Sequence, residues 1–145
     1  MNAPAVPLYT RDILRLAASI PGHRPFDEID GPLLRSPTCG SRLAMRVVLD
    51  HDGRVTDIQQ AVEACAFGQA SAALVGATAA GMNKNDAAAA LARVDQWLDG
   101  VGDEPWPGMA ALDAARARRG RHGAILLPFR ALVQAIGAAA IEAAR

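Results

Sequence analysis

The sequence has no net charge, few aromatic residues and only two cysteines. Fifteen basic residues balance fifteen acidic ones, and aromatic side chains make up 4% of the chain. A protein that binds nucleic acid without sequence preference needs a basic surplus to displace phosphate counterions, so we do not expect nucleic acid as a partner. The clearest local exception is a run of four arginines, which we interpret as a solvated helix face: Arg116, Arg118, Arg119 and Arg121.

The chain also lacks a long apolar run and a secretory leader. Residues 1–8 contain no basic segment followed by an apolar one, so we expect no signal peptide. The longest apolar tract, residues 131–144, is interrupted by Gln134 and Glu142. It falls short of the roughly 18 to 20 continuous apolar residues that span a bilayer. Two cysteines without secretory context are typical of reduced thiols in the cytosol. We therefore expect a cytoplasmic protein with no membrane partner.

What the chain does contain is enough apolar material for one packed core. Hydrophobic residues make up 51% and charged residues 21% of the 145 positions, which is typical of folded rather than disordered chains. A chain of this length fits one ordinary domain. We predict a single domain over residues 1–145, with residues 1–9 as an irregular, proline-containing lead-in.

Hydrophobic periodicity predicts an α+β fold. Alternating apolar and polar residues indicate a strand over 42–49, and Asp50 to Gly53 has the composition of a hairpin turn that leads to a second strand over 55–58. A third strand, over 59–64, either continues the second across a bulge or follows a tight turn. Residues 22–37, punctuated by proline and glycine, are predicted to form a loop. Helical spacing indicates helices over 10–20, 68–80, 83–100, 109–118 and 124–144. This order predicts a small antiparallel sheet of about three strands packed against helices.

Few motifs for chemistry are present. The sequence has no glycine-rich phosphate loop, no GxSxG elbow, no HExxH helix and no CxxC pair. Nucleotide-dependent and hydrolytic chemistry therefore lack the residues they need, and we expect no turnover enzyme. The titratable groups that attract attention are the two cysteines and His122, which lies between Arg121 and Gly123 at the expected start of the last helix. On its own, such a histidine is more often structural or solvated than a ligand.

Each cysteine lies at the end of a predicted element. Cys39 lies in SPTCGS, in the loop before the first long strand, and Cys65 lies in EACAFGQAS, where a strand gives way to a helix. A cysteine that precedes a helix meets the positive end of the helix dipole, which favours the reactive thiolate. The alternative is that both cysteines are buried and inert, because free cysteine is among the most buried residue types.

Taken in order, four segments resemble the iron–sulfur cluster assembly scaffolds of the IscU, NifU N-terminal and SufU group. They are LYTRDILRLAAS, SPTCGSRLAMRVVLD, ACAFGQASAALV and RHGAILLPFRAL. The resemblance extends from about residue 8 to residue 135. Its most specific parts are the P-x-C-G loop at 37–40 and the C-A-x-x-x-A-S segment at 65–71, and the L-L-P-F-x-A-L stretch at 126–132 supports the alignment.

The resemblance implies the fold, partners and site of that group. In such scaffolds three cysteines and an aspartate bind zinc or a nascent [2Fe–2S] cluster and receive sulfur from a cysteine desulfurase. Carried over by position, Cys39 and Cys65 are the first two cysteines, each a metal ligand and a sulfur acceptor, and His122 is a candidate third ligand. The implied cargo is a [2Fe–2S] cluster, iron or zinc. The implied partners are a cysteine desulfurase and other assembly proteins, and homodimerisation stays open.

Two positions depart from the family pattern and leave the activity open. Ser41 follows Gly40 where the family has aspartate, and Gly123 falls where the third cysteine is expected. A [2Fe–2S] cluster is held by four protein ligands, so this chain would need an external one. The first hypothesis is a scaffold that holds its cargo with such help. The second is a degenerate homologue that accepts sulfur, or acts as a regulatory adaptor, without holding a cluster. The third is an interaction domain with inert thiols.

Overall fold

A three-stranded antiparallel sheet lies at the centre of the computed structural model, which describes residues 9–37 and 40–145. The strands are β1 (Leu33–Arg35), β2 (Arg42–Leu49) and β3 (Val55–Glu63), in the order β1-β2-β3. The period-two pattern of β2 turns Leu43, Met45 and Val47 to the core, where each is at most 4% exposed.

The hairpin between β2 and β3 sets the register of the sheet. The pairing runs from Arg42 opposite Glu63 to Leu49 opposite Val55, with an irregularity at Val48 and Leu49. The Asp50 carboxylate accepts hydrogen bonds from the backbone N–H groups of Arg54 and Asp52. These bonds, that from Arg54 foremost, hold the pKa of Asp50 below its usual value.

Four α-helices surround the inner face of the sheet in the described part of the chain: α1 (Arg11–Ala17), α2 (Ala66–Thr78), α3 (Lys84–Leu98) and α4 (Arg119–Ala143). A 3₁₀ segment, Met109–Ala117, connects α3 to α4. Thr10 caps α1 by accepting the N–H of Ile13, and Asn83 forms a reciprocal capping box with Asp86 at α3. The predicted α+β class and three-stranded sheet are confirmed.

Helices α2 and α4 form the core because they are apolar on most sides. Fully or nearly fully buried alanines allow close packing, and the larger core side chains include Phe67, Leu74, Phe129 and Leu132. Trp106 packs edge-on to Phe129 and donates its indole N–H to the Leu74 carbonyl. Within the described residues α4 is long and apolar enough to cross a membrane, but 56% of its most apolar stretch is buried in the fold. It is therefore packed as a core helix.

The segment predicted as a loop over residues 22–37 is more structured than that prediction. It contains a 3₁₀ turn, Phe26–Glu28, and the short strand β1. The backbone N–H of Gln60 donates to Gly22, and that of Arg24 donates to Gln60, so the segment starts anchored to the edge of β3. A three-residue strand has too few residues to show a period, which explains why the sequence pattern missed it.

The strands expected at 55–58 and 59–64 form one continuous strand, β3, which is one of the two possibilities that the sequence left open. The start of the last helix differs from the prediction. Helix α4 begins at Arg119 rather than at about residue 124, so His122 and Gly123 lie inside its first two turns. Gly120 and Gly123 weaken the helical pattern of these turns, because glycine is a poor helix former. The shift matters for function, since both residues were predicted to lie at the site.

We expect Gly22→Ala to destabilise the protein more than Gly53→Ala. Both glycines have positive φ, near 70° and 77°, so each alanine should cost roughly 1 kcal/mol in backbone strain. A Cβ on Gly22 would also collide with the backbone oxygen of Ile58, whereas a Cβ on Gly53 meets nothing within 4 Å. Urea unfolding should therefore show a loss larger by about 2 kcal/mol or more for Gly22→Ala. Equal losses would contradict the close packing of residue 22 on β3.

Candidate functional site

Cys65 is the N-cap residue of α2. Its backbone is extended (φ −65°, ψ 170°), its side chain is half-buried, and it makes no capping hydrogen bond. The first turn of α2 carries no acidic residue. The first N–H groups of a helix have no partner within the helix, so they are free to donate to a group at this end. In the structure, as predicted, Cys65 directly precedes a helix.

Cys39 lies outside the described residues, but its neighbours define a tight connection between β1 and β2. The Ser36 N–H donates to the Ser41 carbonyl at 2.8 Å, and the Gly40 N–H donates to the Ser36 carbonyl at 3.1 Å. Gly40 has φ +70° with open space where a side chain would point, so the requirement for glycine there is conformational. Ser41, which replaces the expected aspartate, is 4% exposed.

The register of the sheet brings the start of β2, which follows Ser41, and the end of β3, which precedes Cys65, to one end of it. Arg42, at the start of β2, pairs with Glu63, at the end of β3. The connection that contains Cys39 precedes Arg42 directly, and Cys65 follows Glu63 by two residues. The Arg42 guanidinium donates to the Glu63 carboxylate at 3.0 and 3.2 Å and lies 3.9 Å from the ring centre of Phe26. This interaction ties the 22–32 segment to the same end, and no pattern in the sequence indicates it beyond an isolated aromatic residue.

Helices α2 and α4 come into contact beside Cys65. A Cβ added to Gly68 would lie 3.3 Å from both the Cβ and the carbonyl oxygen of Ala124. Cys65 lies one helical turn before Gly68, and Gly123 directly precedes Ala124. The start of α2 and the second turn of α4 are therefore neighbours. A Cβ at position 68 would also lie 2.7 Å from the Ala64 Cβ, so there is little room for a side chain there.

A buried hydrogen bond fixes the same contact one turn further on. The Ser71 hydroxyl donates to the Ile125 carbonyl at 2.7 Å, and Ser71 is fully buried. Pro128 has no N–H, so the Ala124 carbonyl lacks its usual partner within α4, and this oxygen is the one that faces Gly68. The C-A-x-x-x-A-S segment thus forms one side of this interface, and Ala124 and Ile125, which directly precede the L-L-P-F stretch, form the other.

The described hydrogen bond of His122 is to the backbone of Arg116. Its Nε2 lies 2.9 Å from the Arg116 carbonyl, and because a carbonyl only accepts, Nε2 must carry the proton. The ring lines a cavity of about 300 Å³ together with Asp99, Asp113 and Arg116, between the end of α3 and the 3₁₀ segment. A metal would have to bind through Nδ1 of the neutral ring. Its role as a ligand stays a prediction.

The described donors do not make a complete metal site. In residues 9–37 and 40–145 there is no group of three or more His, Cys, Asp or Glu side chains placed to hold a metal ion. Ser41 offers no carboxylate, and Gly123 offers no side chain at all. Structural zinc and [2Fe–2S] clusters are normally held by four protein ligands. The described residues therefore do not fit such a group without further donors.

Several solved structures share this fold. A nitrogen-fixing NifU-like protein (N-terminal part) from Brucella abortus matches with a TM-score of 0.80 and 25% identity over 93% of this chain and 96% of that one. A proposed iron–sulfur cluster assembly scaffold for the SUF system of Fervidobacterium islandicum AW-1 matches with a TM-score of 0.74 and 19% identity, covering 89% and 96%. A hypothetical protein matches with a TM-score of 0.70 and 23% identity, covering 87% and 94%. No protein-family model and no curated protein matches the chain.

The class of protein follows from these matches. The chain has the fold of the NifU N-terminal and SufU scaffold structures, at low sequence identity. The resemblance seen in the sequence is confirmed, and the match is consistent with a divergent member of the IscU/NifU family.

We expect Ser71→Ala to lower the free energy of unfolding by about 1–3 kcal/mol, because the substitution removes a buried hydrogen bond between α2 and α4. Thr78→Ala is the matched control. Its hydroxyl donates to the Leu74 carbonyl of its own helix and is only part-buried, so its removal should change stability by no more than about 0.5 kcal/mol. Thermal or urea unfolding measures both, and similar effects of the two variants would show that the Ser71 bond does not fix the interface.

Proposed function

We propose that this protein acts in iron–sulfur cluster assembly as a scaffold-like sulfur acceptor that does not hold a cluster through its own residues alone. The observation that carries the proposal is Cys65, half-buried at the N-cap of α2, on a fold shared with scaffold proteins. Among residues 9–37 and 40–145, no complete set of metal donors surrounds it. Cys39, in the connection at the same end of the sheet, is the second proposed acceptor.

The reaction at Cys65 needs only a thiolate and a persulfide donor. The Cys65 sulfur attacks the outer sulfur of a persulfide carried by a cysteine desulfurase. The new S–S bond forms as the old one breaks, and the donor cysteine leaves as a thiolate. One sulfur moves, no electrons are gained or lost overall, and Cys65 becomes the persulfide. The unpaired N–H groups at the start of α2 are available to donate to that sulfur.

Other features of the proposal follow from this chemistry. The thiols must stay reduced, which agrees with a cytoplasmic location. The burial of α4 in the core agrees with a protein that does not span a membrane. The partners are a cysteine desulfurase and other assembly proteins, and the chain works as one domain without turnover of its own. The cluster is the cargo of the pathway rather than a resident group. A homodimer is compatible with the proposal but not required by it.

We expect Cys65→Ser to abolish sulfur loading of the peptide that contains residue 65. The protein would be incubated anaerobically with a cysteine desulfurase from the same organism and free cysteine, and the added sulfur located by peptide mass spectrometry. Cys39→Ser is the matched control and should leave the loading of Cys65 in place. Circular dichroism would show that both variants are folded. Failure of the wild type to load sulfur, together with slow alkylation of both native thiols, would instead support an inert interaction domain.

A second candidate is a scaffold that holds its cluster with an external ligand, and it is favoured by the proximity of α2 and α4 beside Cys65. We expect Gly123→Cys to lengthen the lifetime of a reconstituted [2Fe–2S] cluster, because residue 123 adjoins the contact between Gly68 and Ala124. Gly120→Cys adds the same thiol one turn earlier, where a side chain meets nothing within 4 Å. Visible absorption after anaerobic reconstitution measures the lifetime. An equal effect of the two variants would show that position 123 does not face the cysteines.

A further inference from the structure

The four arginines around the start of α4 differ in their contacts: Arg116 is held by the fold, whereas the other three have exposed or half-exposed side chains. Arg116 donates to the Trp97 carbonyl, lies 4.6 Å from the Trp97 ring centre and pairs with Asp113 at 3.1 Å. Arg118 and Arg119 are exposed and Arg121 is half-exposed. None of these three forms an ion pair with an acidic side chain in the described part of the chain. We call Arg118, Arg119 and Arg121 the arginine patch.

The patch has an unfavourable position within its own fold. It lies at the N-terminal end of α4, which has no acidic residue in its first turn and no side-chain cap. The sequence contains no acidic residue between Asp113 and Glu142. Cations are disfavoured at the positive end of a helix, so these charges oppose the helix dipole and one another. Arg119 lines the same cavity as Asp99 and Asp113, so the conflict is partly offset within the fold. A sequence that keeps the remainder of such a local conflict is expected to gain something from it elsewhere.

The patch also borders the proposed sulfur-accepting end. Arg121 precedes Gly123 by two residues, and Ala124 packs against Gly68 of α2, one turn after Cys65. Arg121 therefore lies about one helical turn before the contact between α4 and Gly68. The arginine guanidinium matches a carboxylate with two parallel hydrogen bonds, which makes an acidic side chain the complementary group.

We propose that the arginine patch docks an acidic surface of the protein that delivers sulfur to Cys65. This inference rests on the proposed function and names the recognition element for its partner. A protein surface fits better than a nucleic acid, because three arginines on a chain of zero net charge offer few phosphate contacts. Exposed charges at the rim of a contact act mainly on the association rate and its salt dependence.

The test compares two double variants with the same change in net charge. Arg118→Glu with Arg119→Glu reverses the patch, whereas Arg93→Glu with Arg130→Glu reverses two other exposed arginines on α3 and α4. Association with a cysteine desulfurase from the same organism is followed by stopped flow at low and high salt. The patch variant should associate about tenfold or more slowly at low salt and lose most of its salt dependence, while the control stays close to wild type. Equal rates for the two variants would overturn the proposal.

Two further measurements separate the possible causes of a negative result. The patch variant should melt at or above the wild-type temperature, because acidic residues suit the start of a helix, so a loss of binding would not reflect unfolding. Cysteine persulfide, a small donor that needs no docking, should load Cys65 equally in wild type and both variants. If it loads none of them, the proposed function fails and the inference fails with it. Patch-dependent binding to anionic vesicles or to RNA, with unchanged desulfurase association, would also overturn the inference.

Discussion

The contact between α2 and α4 at Gly68 and Ser71 is the constraint on which the proposed site depends. Gly68 admits the backbone of α4 at Ala124, and the Ser71 hydroxyl fixes the next turn through Ile125. Cys65 is the N-cap residue of α2, and Gly123 lies in the second turn of α4. The contact between the two helices therefore determines which residues lie beside the thiol. The register of the hairpin brings a third segment to this end of the molecule. Arg42 pairs with Glu63, and the connection between β1 and β2 directly precedes Arg42.

The fold and its set of metal donors support different functions. The framework matches solved NifU-like and SUF-system structures with TM-scores of 0.80 and 0.74. The set of donors, in contrast, is incomplete. Ser41 and Gly123 stand where the family resemblance implies an aspartate and a cysteine, and the Nε2–H of His122 donates to the Arg116 carbonyl. Transfer of sulfur to a single thiol makes fewer demands than holding a cluster, because it needs one exposed nucleophile rather than four converging ligands. The proposed function therefore requires one reactive thiol but not four converging ligands.

The sequence predicted much of this fold because long elements leave clear periodic signals. The alternation in β2 and the position of Cys65 before α2 agree with the structure. It missed β1, which is too short to show a period, and the first turns of α4, where two glycines obscured the helix. The close packing of Gly68 and the Ser71 hydrogen bond depend on residues about 55 positions away in the chain, which no local pattern contains. The family resemblance marked those residues without explaining them.

The most direct test of the account is anaerobic reconstitution of the wild-type protein with iron and sulfide, followed by desalting, metal analysis and visible absorption. A sulfur acceptor with an incomplete donor set should return to the metal-free state on desalting, while its Cys65 still accepts sulfur from a persulfide donor. A stoichiometric [2Fe–2S] cluster that survives desalting, and that is lost when Cys65 or Cys39 is replaced by serine, would contradict the account and establish the protein as a working scaffold.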